Sequence, residues 1–221
     1  MNRLSRLFGF LPIIFLLVST VLIPGESPSD LDANSKSEEL SFVADRMETI
    51  LAQGRERTVL TGSAELTTDS TIIRADYIEL LGADFELARC RGSVSVIDVE
   101  QGIELLSDEL FFDRQQLLLR IQGAALLIDR RNEVVVKGGF LEYDQTSGEA
   151  IVQIGVRILK SNLASRSEFA RYQREQNRIH LSGMPMVKWK GDQYTATRIF
   201  IDLNEDTILL DGMVKGTITV S

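Results

Sequence analysis

The sequence is poor in the residues that carry most protein chemistry. Among 221 residues there is one cysteine, one histidine, one tryptophan and four prolines. With Cys90 alone, no intramolecular disulfide can form. In "LARCRG" it reads as a small buried apolar residue of a strand. His180 in "NRIHLSG" has no histidine or cysteine partner for a zinc site and reads as a strand residue. "RGSVSV" lacks the second glycine of a nucleophile elbow, and no nonapeptide calcium repeat occurs. No catalytic residue, metal or cofactor is expected. Basic residues are also in deficit, 24 against 32 acids for a net charge of −8. Leaving out Arg3 and Arg6, 22 bases face 32 acids and the net is −10. The sequence shows no basic stripe, and a polyanion such as nucleic acid is repelled.

A 3.6-residue apolar period is missing too, outside the N-terminus. There, "MNRLSRLFGFLPIIFLLVSTVLIPGES" carries two arginines and then 17 residues of apolar run from Leu7 to Ile23. That is long for a signal-peptide core and short for a membrane span. Residues 1–25 therefore read either as a cleaved signal peptide or as an N-terminal hydrophobic helix retained as an anchor. The leading arginines keep the N-terminus cytoplasmic, so both readings put the remainder outside the inner membrane. No cysteine is placed for a lipoprotein anchor. Residues 26–40, "ESPSDLDANSKSEEL", form a polar, acidic linker. Residues 41–221 read as a single repetitive domain.

The repeat rests on two interleaved series. In "IIRADYIELL" the apolar residues change parity halfway, from Ile73 and Ala75 to Ile78 and Leu80, with Asp76 at the change. The same unit of a small residue, an acid and a later apolar residue recurs in "FVADRM", "LLSDEL", "VKGGFL", "SRSEFA" and "YTATRI". Its small residues are 44, 75, 107, 138, 167 and 196, spaced 31, 32, 31, 29 and 29. Half a period away, Gly62, Gly92, Gly123, Gly183 and Gly212 form the second series, with Ile154 in the glycine's place in the fourth unit. Polar segments such as "TTDST", "DRQQ", "DQTSGE", "REQN" and "NEDT" join the two. Each unit is thus two strands of about a dozen residues.

A strand whose inward parity flips contains a bulge, which bends it. If every strand bends at the same level, Ile73 and Ile78 face one interior. The small residue avoids a clash at the bend, and the acid beside it is expected to bond free backbone amides. The predicted fold is all-β, an elongated open jelly roll of stacked bent antiparallel strands with an apolar trough inside. A plain β-sandwich or a β-helix with a filled core is the competing fold. Acids that recur once per repeat mark structure rather than an acid/base pair.

The glycine, the alternating apolar pair, the turn and the apolar-x-small-Asp unit resemble the OstA/LptA-like family. The likeness is clearest in "LTGSAELTTDSTIIRADYIELL" (60–81) and "CRGSVSVIDVEQGIELLSDELFF" (90–112) and spans about residues 41–221. The third repeat departs with Gly139 for Asp, the fourth has Glu168 and the fifth Thr197. The resemblance implies a periplasmic jelly roll that carries lipopolysaccharide or another acylated envelope lipid between membranes, end to end with other jelly-roll transport proteins. An anchored, LptC-like member joins an ATP-driven (ABC) transporter in the inner membrane, and either type fits this N-terminus.

From both series, the expected trough lining is Phe42, Met47, Ile73, Ile78, Leu80, Val94, Val96, Leu105, Leu110, Phe112, Leu127, Val136, Leu141, Tyr143, Ile199 and Ile201. Arg74, Arg114 and Lys137 are expected at the rim near a charged head group. The first strand, in "LSFVADRMET", and the last, "GTITVS", are candidate docking edges for strand addition. A non-catalytic envelope scaffold that assembles through these edges is the alternative function.

Overall fold

The computed structural model describes residues 40–68, 70–82 and 84–219. The expected N-terminal helix, and the linker up to residue 39, lie outside the described residues. Two short strands, β1 (Ser41–Val43) and β2 (Arg46–Ile50), precede eight long ones: β3 (Arg57–Thr67), β4 (Thr71–Leu81), β5 (Leu87–Asp98), β6 (Ile103–Asp113), β7 (Leu118–Asp129), β8 (Val134–Asp144), β9 (Glu149–Lys160) and β10 (Leu163–Gln173). The long strands have 11 or 12 residues, the length read from the repeat. Six short strands follow: β11 (Arg178–Ser182), β12 (Met186–Trp189), β13 (Asp192–Thr195), β14 (Arg198–Asp202), β15 (Thr207–Asp211) and β16 (Lys215–Thr217). All pairings are antiparallel, and no helix occurs among the described residues.

Every long strand shifts register at its middle, for example between Arg74 and Tyr77 in β4 and between Arg91 and Val94 in β5. These shifts are the bulges that the parity change requires, and both Ile73 and Ile78 are buried. They line up into a crease that folds one sheet into two walls. The first wall runs β2, the 57–61 arm of β3, on through the 169–173 arm of β10, to β11, β14 and β15. The second wall runs β1, the 64–67 arm of β3, on through the 163–167 arm of β10, to β12, β13 and β16. This is an open, all-β jelly roll.

Two constraints shape the crease. The backbone there turns left-handed over two residues, as at Gly92 (φ 76°) and Ser93 (φ 48°), a conformation glycine adopts without penalty. In addition, the acid of the preceding strand lies on the glycine: a Cβ at Gly62 or Gly92 would fall on the carboxylate of Asp45 or Asp76. The small-residue series answers a different contact. A Cβ on Gly138 would come within 2.5 Å of Val152 Cγ1 and 2.9 Å of the Gln153 carbonyl. The expected bonds from these acids to free amides are not the rule. Asp45, Asp76 and Asp108 accept none among the described residues, and Glu168 alone accepts one, from Gly155 N at 3.3 Å. Their role is steric, filling the hollow above a glycine. Another set of aspartates does bond amides. Asp98, Asp113, Asp129, Asp144 and Asp202 end their strands and cap the following turns.

The dozen-residue strand does not persist to the C-terminus. Beyond β10 the ribbon breaks at the crease, leaving β11 and β12 as separate strands. Pro185 sits in that break, where it has no N–H to contribute to a ladder.

Candidate functional site

The walls face each other across one apolar core, and their inward side chains alternate as the period of two demands. Through the middle of the ladder this interior is filled; Ile78, Leu141 and Ile158 have no exposed surface. It opens at both ends. Near the start, a cavity of about 250 Å³ lies between the walls, with Leu66 and Ile73 from one and Ala88 and Phe112 from the other. Its mouth is polar, carrying Asp98, Gln101, Arg114 and Gln145. Near the end, a cavity of about 330 Å³ lies between Trp189 and Tyr194 on the second wall and Ile208 and Leu210 on the first. Lys190 and Asp206 pair across its mouth at 2.8 Å.

Between the two cavities the rims are held together. Arg174, just past the first-wall end of β10, reaches Asp129 at the second-wall end of β7. Arg174 is 3% exposed and Asp129 0%. Nε donates to Asp129 Oδ2 at 2.9 Å, Nη1 to Gln101 Oε1 at 2.9 Å, and Nη2 to the Gln101 carbonyl at 2.5 Å. Asp129 Oδ2 also accepts from Tyr172 Oη at 3.0 Å and Asn132 Nδ2 at 2.8 Å, while Oδ1 accepts the amides of Arg131 and Asn132. Burial pulls the Arg174 pKa down most, but Asp129, Tyr143 and Glu175 together outweigh it and the net displacement is upward. Burial and the neighbouring Asp129 push the Tyr172 phenol far above its ordinary range, so it serves as a fixed donor. A buried ion pair that lost one partner would strand a charge, so Arg174 and Asp129 depend on each other.

Of the sixteen residues expected to line a trough, thirteen are buried between the walls: Ile73, Ile78, Leu80, Val94, Val96, Leu105, Leu110, Leu127, Val136, Leu141, Tyr143, Ile199 and Ile201. Phe112 is partly buried. Phe42 and Met47 are 44% and 48% exposed, because their strands end the ladder. Phe42 pairs with Leu66 and Met47 with Leu60, so both share the inward face. Only Ile73 and Phe112 of the expected set reach the first cavity, and none reaches the second. Leu66, Trp189, Ile208 and Leu210 were legible as inward by parity; the clasp was not, since Arg174 and Asp129 come from different repeats. The rim assignment needs correction. Arg114 does border the first cavity, donating to the carbonyls of Asp84 and Phe85. Arg74 and Lys137 instead lie on the outer surface beside the crease, Arg74 paired with Glu65 at 2.7 Å. They sit an even number of residues from the buried ones only when counted across the bulge, where parity inverts.

His180 and Cys90 stand apart from the clasp. Cys90 is fully buried, and burial pushes its thiol up to about 12. His180 lies on the outer face of the first wall, stacked on Phe200 with ring centroids 4.4 Å apart. Burial first, then Arg171 and Arg198, hold its pKa below the ordinary 6.5. The folded state therefore favours neutral imidazole, and its contribution is present above the unfolded pKa and lost as pH falls through the folded one. Replacing His180 with Phe keeps the stack and is expected to flatten the fall in stability below pH 6.5. Thermal melts across that window would check it, and an unchanged pH slope would assign the effect to other groups. Among the described residues, no group of three His, Cys, Asp or Glu side chains converges as a metal site.

No protein-family model matches the chain, and no curated protein matches it. Among solved structures it is similar to LptH of Pseudomonas aeruginosa, the LptA-homologous periplasmic component of the conserved lipopolysaccharide transport device. The identity is 12%, the match covers 82% of this chain and 96% of that one, and the TM-score is 0.26. A score that low leaves the architecture to be argued from the strand register itself.

Proposed function

We infer that the protein is a non-catalytic lipid carrier of the periplasm, which shelters acyl chains of lipopolysaccharide or a similar amphiphile between its walls. In this reading it forms part of a bridge from inner to outer membrane. Other jelly-roll transport proteins add to its terminal strands, and an inner-membrane ABC transporter supplies the lipid. It is either soluble after signal cleavage or tethered by its N-terminal segment. The observation that carries the reading is an apolar interior left unfinished at both ends of the strand ladder. Phe42 and Met47 show their inward faces at one end, and the Trp189–Leu210 cavity opens at the other. Each methylene sheltered there is worth about 0.8 kcal/mol. A cavity of about 250 Å³ takes only the end of an acyl chain. A longer stretch requires the rims to part at Arg174 and Asp129.

The filled middle of the interior favours a second reading, an envelope scaffold joined through its edge strands. A photo-crosslinking residue at Phe112, inside the first cavity, separates the two in cells. Capture of an acylated lipid there is the expected result. Capture of protein at β15 or β1 with no lipid at Phe112 would make the chain a scaffold.

A further inference from the structure

The outer charges of the folded sheet are mostly paired across strands, on the second wall too, where Arg74 meets Glu65. On the first wall, arginines meet acids on the next strand, as in Arg57–Glu79 at 2.5 Å, Arg120–Glu142 at 2.7 Å and Arg178–Asp202 at 2.9 Å. On the second wall, Lys137, Arg157 and Arg166 stand directly opposite one another on β8, β9 and β10. All three are exposed, and none has an ion-pair partner among the described residues. Lys215 continues the same row on β16. The sequence reading of no basic stripe is thus corrected: the row is gathered from separate strands and is invisible along the chain. Like charges directly opposite destabilise a sheet, and a chain with 32 acids had ample means to pair them.

The crease beside this row is apolar. Ile154, Met184 and Met213 are 65%, 83% and 83% exposed. Met184 and Met213 stand where the earlier repeats have Ser63, Ser93 and Ala124, and Ile154 stands where they have Gly62, Gly92 and Gly123. Ile154 even holds a left-handed backbone (φ 68°), which a β-branched residue rarely does. Arg157, Arg166 and Met184 share a groove of about 320 Å³, in which Glu168 is the sole acid.

Protruding apolar side chains beside unpaired cations match a lipid headgroup layer, where phosphates meet the cations and the apolar tips enter the acyl boundary. A protein partner would instead be anchored by side chains sunk in pockets, whereas Ile154, Met184 and Met213 are largely exposed. We propose that the C-terminal part of the crease, with the Lys137–Arg157–Arg166 row, docks on a bilayer surface bearing anionic phospholipid. The docking does not depend on whether the interior holds lipid.

An environment-sensitive fluorophore at Met184→Cys in the full chain tests this, with Ser63→Cys as the matching crease position at the other end. Buried Cys90 stays unlabelled in the folded protein. The Met184 probe is expected to shift to the blue with vesicles of phosphatidylcholine mixed with phosphatidylglycerol, and not with phosphatidylcholine alone. The Ser63 probe stays unshifted in both, and added salt weakens the response. Neutralising the row as K137Q/R157Q/R166Q is expected to weaken vesicle binding by about fivefold per cation, on the order of 100-fold together. The same variant should melt no lower than the parent, because repulsion is relieved; a structural role would lower the melting temperature. A silent Met184 probe, an equal shift with both vesicles, or full binding by the neutral variant overturns the proposal. So does a shift with soluble poly-glutamate in the absence of any with anionic vesicles, which would mark a dock for an acidic protein.

Discussion

Replacing Arg174 with methionine is expected to destabilise the protein by about 3–5 kcal/mol, because it leaves Asp129 charged and buried without its cation. The loss should be read as a lowered urea midpoint at neutral pH. Tyr172 and Asn132 still donate to the carboxylate, so the site does not collapse outright. Replacing both partners with apolar residues, Arg174→Met with Asp129→Leu, should recover much of the loss. A loss below about 1 kcal/mol for Arg174→Met, the size of an exposed pair, would mean that the guanidinium is solvated and the rims stand apart in solution. Arg174→Met also bears on transport. If acyl chains enter between the rims, loosening the clasp raises lipid capture at Phe112 even as stability falls.

The crease offers the second large effect. Gly139 stands where Asp45, Asp76, Asp108 and Glu168 stand in other repeats, and Ile154 stands where the others have a glycine. The two are partners: a Cβ on Gly139 would lie 3.0 Å from Ile154 Cβ and Cγ2. The large-over-small contact has been kept with its members exchanged between strands. Gly139→Asp alone should cost about 1–3 kcal/mol by overpacking. Ile154→Gly alone loses a contact but relieves the left-handed β-branched residue. Together they rebuild the arrangement of Asp76 on Gly92, so the pair should be more stable than the sum of the single changes by about 1–3 kcal/mol. Urea midpoints of the four proteins give this coupling directly. Additivity within about 0.5 kcal/mol would show that the crease tolerates either arrangement independently.

These variants probe different ranges of interaction, and the ranges explain what could be read early. The bulge, the parity change and the alternation of Ile73, Ile78, Val94 and Leu105 depend on residues next to one another or on the adjoining strand. Their pattern repeats every 29 to 32 residues and is plain in the sequence. Even the compensating exchange at 139 and 154 was visible as two departures from the repeat, though not as one contact.

What the sequence by itself determined is therefore the ribbon: all-β, antiparallel, bulged at fixed intervals, with an apolar side that stays on one side across each bend. Only the tertiary structure decided how far the walls close, because that angle sets which rim residues meet. It joined Arg174 to Asp129 across 45 positions and to Gln101 across 73. It filled the middle of the interior and left cavities at the ends, where among the described residues no further strand covers Phe42 or Leu210. It also drew Lys137, Arg157 and Arg166 into one row, since cross-strand register, not chain order, makes them neighbours.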